Sequence, residues 1–241
     1  ITPVFLRKQL AKPSMRETDF RRYHLNQWVQ DDGDGITPEM WDACYLPDAV
    51  IPDGARAWSA TDLAFTGDWA AHVIAAEVDG RIVVEGMGWS PPDDKSMEID
   101  IRATVDGYAM GMAQRLQMQQ MAFDDWNARL LMQDVASRGL PTMTWSMKAS
   151  FMCPASQTFL EAVKTRRIAH NGDPILRQHV LSMRGRDVAG GWKFDKHPAN
   201  DDPTGQWKTD VGLCAVAAVS MAAGNQVNAL EAFGFFVDLD E

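Results

Sequence analysis

Four aspartates stand where apolar runs of this chain end or begin. Asp62 closes a strand-like run, Asp68 lies six residues on at the entry to the next, Asp124 closes a later one, and Asp210 opens the last long apolar stretch. Carboxylates that converge from several elements repel one another strongly unless a cation sits among them. Mg2+ and Mn2+ prefer such oxygen ligands, with water completing the shell. Two such ions about 3.5–4 Å apart can activate a water and stabilise the leaving oxygen in phosphodiester hydrolysis. The residue types therefore point to metal-assisted chemistry on a phosphate. Spacing alone does not single these four out. The chain has 33 acidic residues, and an Asp behind a strand more often forms a turn.

The elements that must position them can be read from periodicity. Residues 55–61, 70–78 and 81–89 are strand-like, and Asp79-Gly80 is a tight hairpin signal, so these runs form an antiparallel meander. Residues 97–117 have mixed helical periodicity. Residues 118–123 are a short apolar strand ending at Asp124, and residues 126–138 have helical spacing that stops at Gly139. Further strands are expected at 141–147 and 192–194, and helices at 155–164, 174–183 and 211–223. Shorter helices are expected over 2–10 and 19–29. Strands first, then strand–helix alternation, indicate an α/β layered domain with a mixed sheet flanked by helices. The loop Asp31-Asp-Gly-Asp-Gly35 mimics the start of a calcium loop, but Asp42 stands where that loop needs a Glu.

Composition limits the partners. Nine tryptophans and 46% hydrophobic residues supply a sizeable core. No apolar run reaches the length of a membrane span, and the first residues lack a signal-peptide pattern. Cys44, Cys153 and Cys214 are odd in number and far apart, which argues against zinc and disulfides and for a reducing, cytosolic compartment. The net charge of −10 is unevenly spread: residues 1–24 carry +4 and residues 163–197 carry +5. A local basic stripe can meet phosphates on an acidic protein. Arg184, Arg186, Lys193 and Lys196 are candidate DNA contacts, and Lys208 could contact phosphate or offset carboxylate charge. His170, His179 and His197 lack metal-ligand spacing. The chain also lacks a P-loop, a nucleophile elbow and an HExxH motif.

Taken in order, the motifs resemble the nuclease domain of tailed-phage terminase large subunits over nearly the whole chain. Phe20-Arg-Arg-Tyr-His-Leu-Asn-Gln-Trp28 with Trp41-Asp-Ala-Cys44 is similar to the segment that joins that family's motor and nuclease domains. Asp62-Leu-Ala-Phe-Thr-Gly-Asp68-Trp-Ala-Ala71 resembles the first nuclease motif, Phe123-Asp124-Asp-Trp-Asn-Ala128 the second, and Trp207-Lys-Thr-Asp210 the last. His170-Asn-Gly-Asp-Pro174 resembles a family turn before a helix.

The resemblance implies a ribonuclease-H-like fold and cleavage of double-stranded viral DNA with Mg2+ or Mn2+, two ions being expected. Asp62 is the expected central ligand, with Asp124 and Asp210 flanking and Asp68 as a fourth acid. Asp125 beside Asp124 could shift the assignment by one, but strand alternation favours Asp124. The resemblance also implies a portal and a small terminase subunit as partners, action in the host cytoplasm, and a lead-in over residues 1–50 from a motor domain, with the nuclease over 51–241. The chain lacks an initiating Met, which fits a piece of a longer protein, and ATP hydrolysis is not expected of it. A catalytically silent DNA-binding module and another ribonuclease-H-like nuclease such as a resolvase are the alternatives.

Overall fold

The three β-rich runs zip into a meander because each alternates between two buried faces. In the computed structural model, which describes residues 2–10, 35–94, 96–124, 128–196 and 207–224, β1 (Arg56–Asp62) pairs antiparallel with β2 (Ala70–Val78), and β2 with β3 (Arg81–Trp89). Asp79 and Gly80 both take positive φ at the β2–β3 turn, as a tight hairpin requires. The chain divides into two units, residues 1–35 and 36–241. In the first, the described residues form helix α1 (Pro3–Leu10), with Thr2 before it and Gly35 at the end of the unit. The expected helix at 19–29 lies outside the described residues.

The second unit is built on a mixed six-stranded sheet of order β5-β4-β1-β2-β3-β6, with β4 (Gln117–Asp124), β5 (Thr142–Trp145) and β6 (Ile168–Ala169) all parallel to their neighbours. It opens with the short helix α2 (Pro38–Asp42), which starts on the Thr37 cap. Residues 36–50, assigned from sequence to the lead-in, pack into this unit: Ile36, Trp41 and Cys44 are buried in its main core.

One face of the sheet carries Ala60, Ala71, Val73 and Ala122 against α5 (Ala149–Lys164) and α7 (Asp210–Ala222). The other carries Met121, Phe123, Ile74 and Ala76 under α3 (Gly107–Arg115) and α4 (Arg129–Ser137). Every residue of α7 is buried, as befits a helix apolar on all sides.

Several expectations shift. The helix expected at 155–164 starts six residues earlier and runs through Pro154. The one lost backbone hydrogen bond is outweighed by burial of Phe151, Met152 and Cys153 in the core. The helical stretch expected over 97–117 is shorter: a π-type turn (Arg102–Asp106) leads into α3, and Leu116 is already extended because Gln117 pairs with Arg56. The strand at 192–194 is β8 (Gly191–Asp195), and its partner β7 (Arg184–Val188) was not foreseen, since Arg-Gly-Arg-Asp-Val shows no apolar alternation.

Helix α7 lies across β1, β2 and β3 and against α6 (Pro174–Leu181) at distances only glycine allows. A Cβ on Gly88 would sit 2.7 Å from Val211, and one on Gly212 only 2.6 Å from the His179 carbonyl oxygen. Because that carbonyl is backbone, Gly212→Ala must push α6 and α7 apart and should cost about 1–3 kcal/mol in urea unfolding. Unchanged stability would show that the helices do not meet this closely.

His72 is wholly buried, with Nδ1 2.8 Å from the Thr61 hydroxyl, and burial lowers its pKa from 6.5 to about 4. The unfolded chain takes up a proton there below 6.5, whereas the folded protein resists until about 4. Stability from His72 is thus full above the unfolded value and lost as pH falls through that window. The urea midpoint of the wild type should drop more steeply over it than that of His72→Asn; equal slopes would clear His72 of any role.

Candidate active site

Strand register brings the first two carboxylates together. β1 and β4 run parallel with Thr61 opposite Phe123, so Asp62 and Asp124 end neighbouring strands at the same edge. Side chains alternate along a strand, and Ala60 and Ala122, two residues earlier, both bury on the α7 face. Asp62 and Asp124 therefore share that face. Asp125 lies outside the described residues.

Helix α7 brings the third. Asp210 is its first residue and is 1% exposed, with buried Thr209 at the cap. The positive end of a helix favours a carboxylate there. Val211 N–H, in the same first turn, donates to His179 Nδ1 at 3.2 Å, and the His179 ring meets Trp69 edge-on. Asp68 comes from the loop between β1 and β2, its Oδ1 accepting from Trp69 N–H at 3.0 Å. Asp62, Phe65, Asp68, Trp69, Lys196 and Asp210 line a cleft of about 300 Å³.

Two lysines answer this negative charge. Lys196 Nζ, one residue beyond β8, donates to Asp210 Oδ1 at 2.5 Å and to Asp68 Oδ2 at 3.0 Å. Lys208 Nζ donates to Asp68 Oδ1 at 3.0 Å. Burial alone would lower the Lys196 ammonium, but Asp210, Asp68 and Asp62 hold it well above the ordinary lysine value. Burial would likewise raise Asp68, yet Lys196 and Lys208 bring it below the usual carboxylate range.

Asp62 goes the other way. Burial first, and then the charges of Asp210, Asp124 and Asp68, raise its pKa from 3.8 to about 7 against the pull of Lys196. Burial also raises Asp210, again opposed by Lys196.

The donor set is hard oxygen, which suits a divalent cation such as Mg2+ or Mn2+. Asp210 Oδ2 is buried and has no hydrogen-bond partner among the described residues, an open acceptor at the cleft. Among the described residues, no three Asp, Glu, His or Cys side chains are already gathered as a closed ligand set. The ammonium of Lys196 occupies one oxygen of Asp210 and one of Asp68 instead.

The other sequence candidates separate. Lys196 lines the cleft, and Lys208 reaches the cleft residue Asp68. Lys193 is 6% exposed, its ammonium held by the Met147 carbonyl at 2.9 Å and by Asp195 at 3.1 Å. Arg184 and Arg186 lie on β7, and the exposed Arg186 reaches Asp195 at 3.4 Å. His170 is buried and stacked on Trp41, with Nε2 donating to the Trp41 carbonyl at 3.0 Å. His197 lies outside the described residues. Asp42 is held by Arg177 through two bonds of 2.7 and 2.8 Å. What the sequence did not reveal is the pairing of Lys196 with Asp68 and Asp210; the only signal was a lysine at the end of an unforeseen hairpin.

Among the described residues no helix is long and apolar enough to cross a membrane. No protein-family model matches the sequence, and no curated protein matches it significantly. Solved structures do match. The large terminase of bacteriophage HK97 aligns at a TM-score of 0.62 and 21% identity, over 78% of this chain and 43% of that one. The large terminase of a thermophilic bacteriophage, solved in complex with ADP, aligns at 0.58 and 13% identity, over 92% of this chain and 52% of the other. The large terminase nuclease from thermophilic phage G20c, solved with bound magnesium, aligns at 0.51 and 10% identity, over 75% of this chain and 96% of that one. The chain thus spans about half the length of the whole large terminases it matches and nearly all of the separate nuclease. At these identities the likeness establishes the fold: a ribonuclease-H-like mixed sheet flanked by helices, shared with phage large-terminase nuclease domains.

Proposed function

We propose that this chain is the nuclease part of a phage large terminase and hydrolyses phosphodiester bonds of double-stranded DNA during genome packaging. The observation that carries this reading is the delivery of Asp62, Asp124 and Asp210 from β1, β4 and α7 to one edge of such a fold, with Asp210 Oδ2 buried and open. Asp62 is the central ligand and Asp124 and Asp210 flank it. When bound, Mg2+ or Mn2+ would supply an activated water and offset charge on the departing oxygen.

The chain's own groups do the rest. Asp62, raised by burial, binds a cation only after losing its proton. Lys196 and Lys208 hold Asp68 in place, and Arg184 and Arg186 on the neighbouring hairpin offer charge to the DNA backbone. The lead-in from a motor domain, read from sequence as residues 1–50, is confined to residues 1–35, because residues 36–50 belong to the nuclease unit. Without a P-loop this chain does not hydrolyse ATP, and the portal and small terminase subunit are partners of the whole assembly.

Supercoiled plasmid incubated with the protein and Mn2+ or Mg2+ should be nicked and linearised, and EDTA should stop it. Asp62→Asn should lower the rate about 100-fold or more, since even outer partners of a metal site cost 10–100-fold. A folded mutant that cuts like the parent would sink the site assignment.

The raised Asp62 pKa has a further sign to check. The metal-free folded protein holds that proton up to about 7, the unfolded chain only to 3.8. Binding more protons when folded, the protein loses stability from this group as pH rises through that interval. In EDTA, therefore, Asp62→Asn should gain thermal stability over the wild type as pH climbs from acid to neutral. A constant difference would refute the burial of this carboxylate.

A further inference from the structure

Most of the cleft wall comes from one loop. Residues 62–66, 68 and 69, between β1 and β2, line it together with Lys196 and Asp210. Phe65 stands out in this wall: it is large and apolar, yet 41% exposed. We propose that Phe65 holds the DNA strand to be cut, its ring packing on the apolar face of a deoxyribose beside the scissile phosphate. The inference rests on the nuclease reading above and adds a substrate contact that carries no charge.

The loop is fixed on both sides of that ring. Before it, Leu63 is 3% exposed and sits in the core under α3 and α4. The Phe65 carbonyl itself accepts from Ile99 N–H at 2.9 Å, and Ile99 is buried in the same core. Beyond it, Gly67 turns the chain at a positive φ, and its carbonyl accepts from Lys208 Nζ at 3.5 Å. Asp68 is held by Lys196 and Lys208, and the Trp69 ring meets His179 edge-on at 4.9 Å. The backbone at Phe65 is therefore tied down, and the ring is presented to the cleft from a fixed support.

A single exposed phenylalanine on an open surface needs no explanation. Phe65 instead lines a cleft that also carries the carboxylates of Asp62, Asp68 and Asp210 and the ammonium of Lys196. A DNA strand alternates anionic phosphates with sugars that have apolar faces. A cleft that takes the phosphate at its carboxylates through a cation sets a sugar beside it, and burying the ring there removes apolar area from water. A sugar contact positions the strand without reading a base. It also neutralises no phosphate, so its share of the affinity does not fade with salt as an ionic contact does.

The test is single-turnover cutting of a labelled DNA duplex in Mn2+ at rising concentrations of the full chain, repeated at low and high salt. It yields a half-saturating concentration and a limiting rate. Phe65→Ala should raise the half-saturating concentration about tenfold, by a larger factor than it lowers the limiting rate. The factor should be the same at both salt concentrations, and Phe65→Tyr, which keeps the ring, should restore binding. A folded Phe65→Ala protein that saturates like the parent would overturn the proposal and leave the nuclease reading standing. So would a defect that disappears at high salt, or one confined to the limiting rate. A wild type that does not cut would remove the nuclease reading, and this proposal with it. Should Phe65→Ala not fold, Phe65→Gln reads the same loss.

Discussion

A carboxylate sealed at the head of an apolar helix has to be met by positive charge, and Asp210 makes that demand at the centre of this molecule. Helix α7 is buried along its whole length, so Asp210 has little water to fall back on. The helix end helps to hold the charge, but an oxygen without a partner in the interior is costly. Lys196 answers one oxygen. The other remains open toward the cleft, and the arrangement of Asp62, Asp124 and Asp68 around it follows from where α7 is fixed against the sheet.

That placement depends on small residues. Gly88 lets Val211 settle against β3, and Gly212 lets the start of α7 reach the backbone of α6 at His179. The contact with His179 is reinforced by the Val211 N–H bond to its ring. A bulkier residue at either glycine would lift Asp210 away from the strand ends, because interiors are packed too tightly to absorb an added methyl without strain. Glycines in β3 and in α7 itself therefore control how closely the helix that carries Asp210 approaches its neighbours.

The charge distribution has a similar logic. The chain is acidic overall at −10, yet lysine and arginine concentrate around the β7–β8 hairpin that leads into the cleft. Not all of that charge faces outward. Lys193 is turned into the core to hold the strand, and Lys196 is turned onto the carboxylates, which leaves Arg184 and Arg186 on the outer strand of the hairpin. A basic run in sequence is thus divided between holding the scaffold and neutralising the site.

Much of this was already in the sequence. The three strand-like runs in residues 55–89 and the Asp79-Gly80 turn indicate the meander, because a two-residue hairpin makes the strands it joins antiparallel neighbours. Strand alternation alone puts Asp62 and Asp124 on the face of Ala60 and Ala122, and the unbroken apolar run after Asp210 marks a buried helix. Local patterns fail where neighbours distant in the chain decide. Pro154 reads as a helix stop, but core burial of the preceding turn carries the helix through it. Strand β7 has no apolar signature because its pairing with β8 defines it. Lys196 reads as a candidate DNA contact, and only tertiary packing brings it onto Asp68, 128 residues away, and onto Asp210. Periodicity records which face a side chain takes, whereas the partner it meets there is set by how the helices close over the sheet.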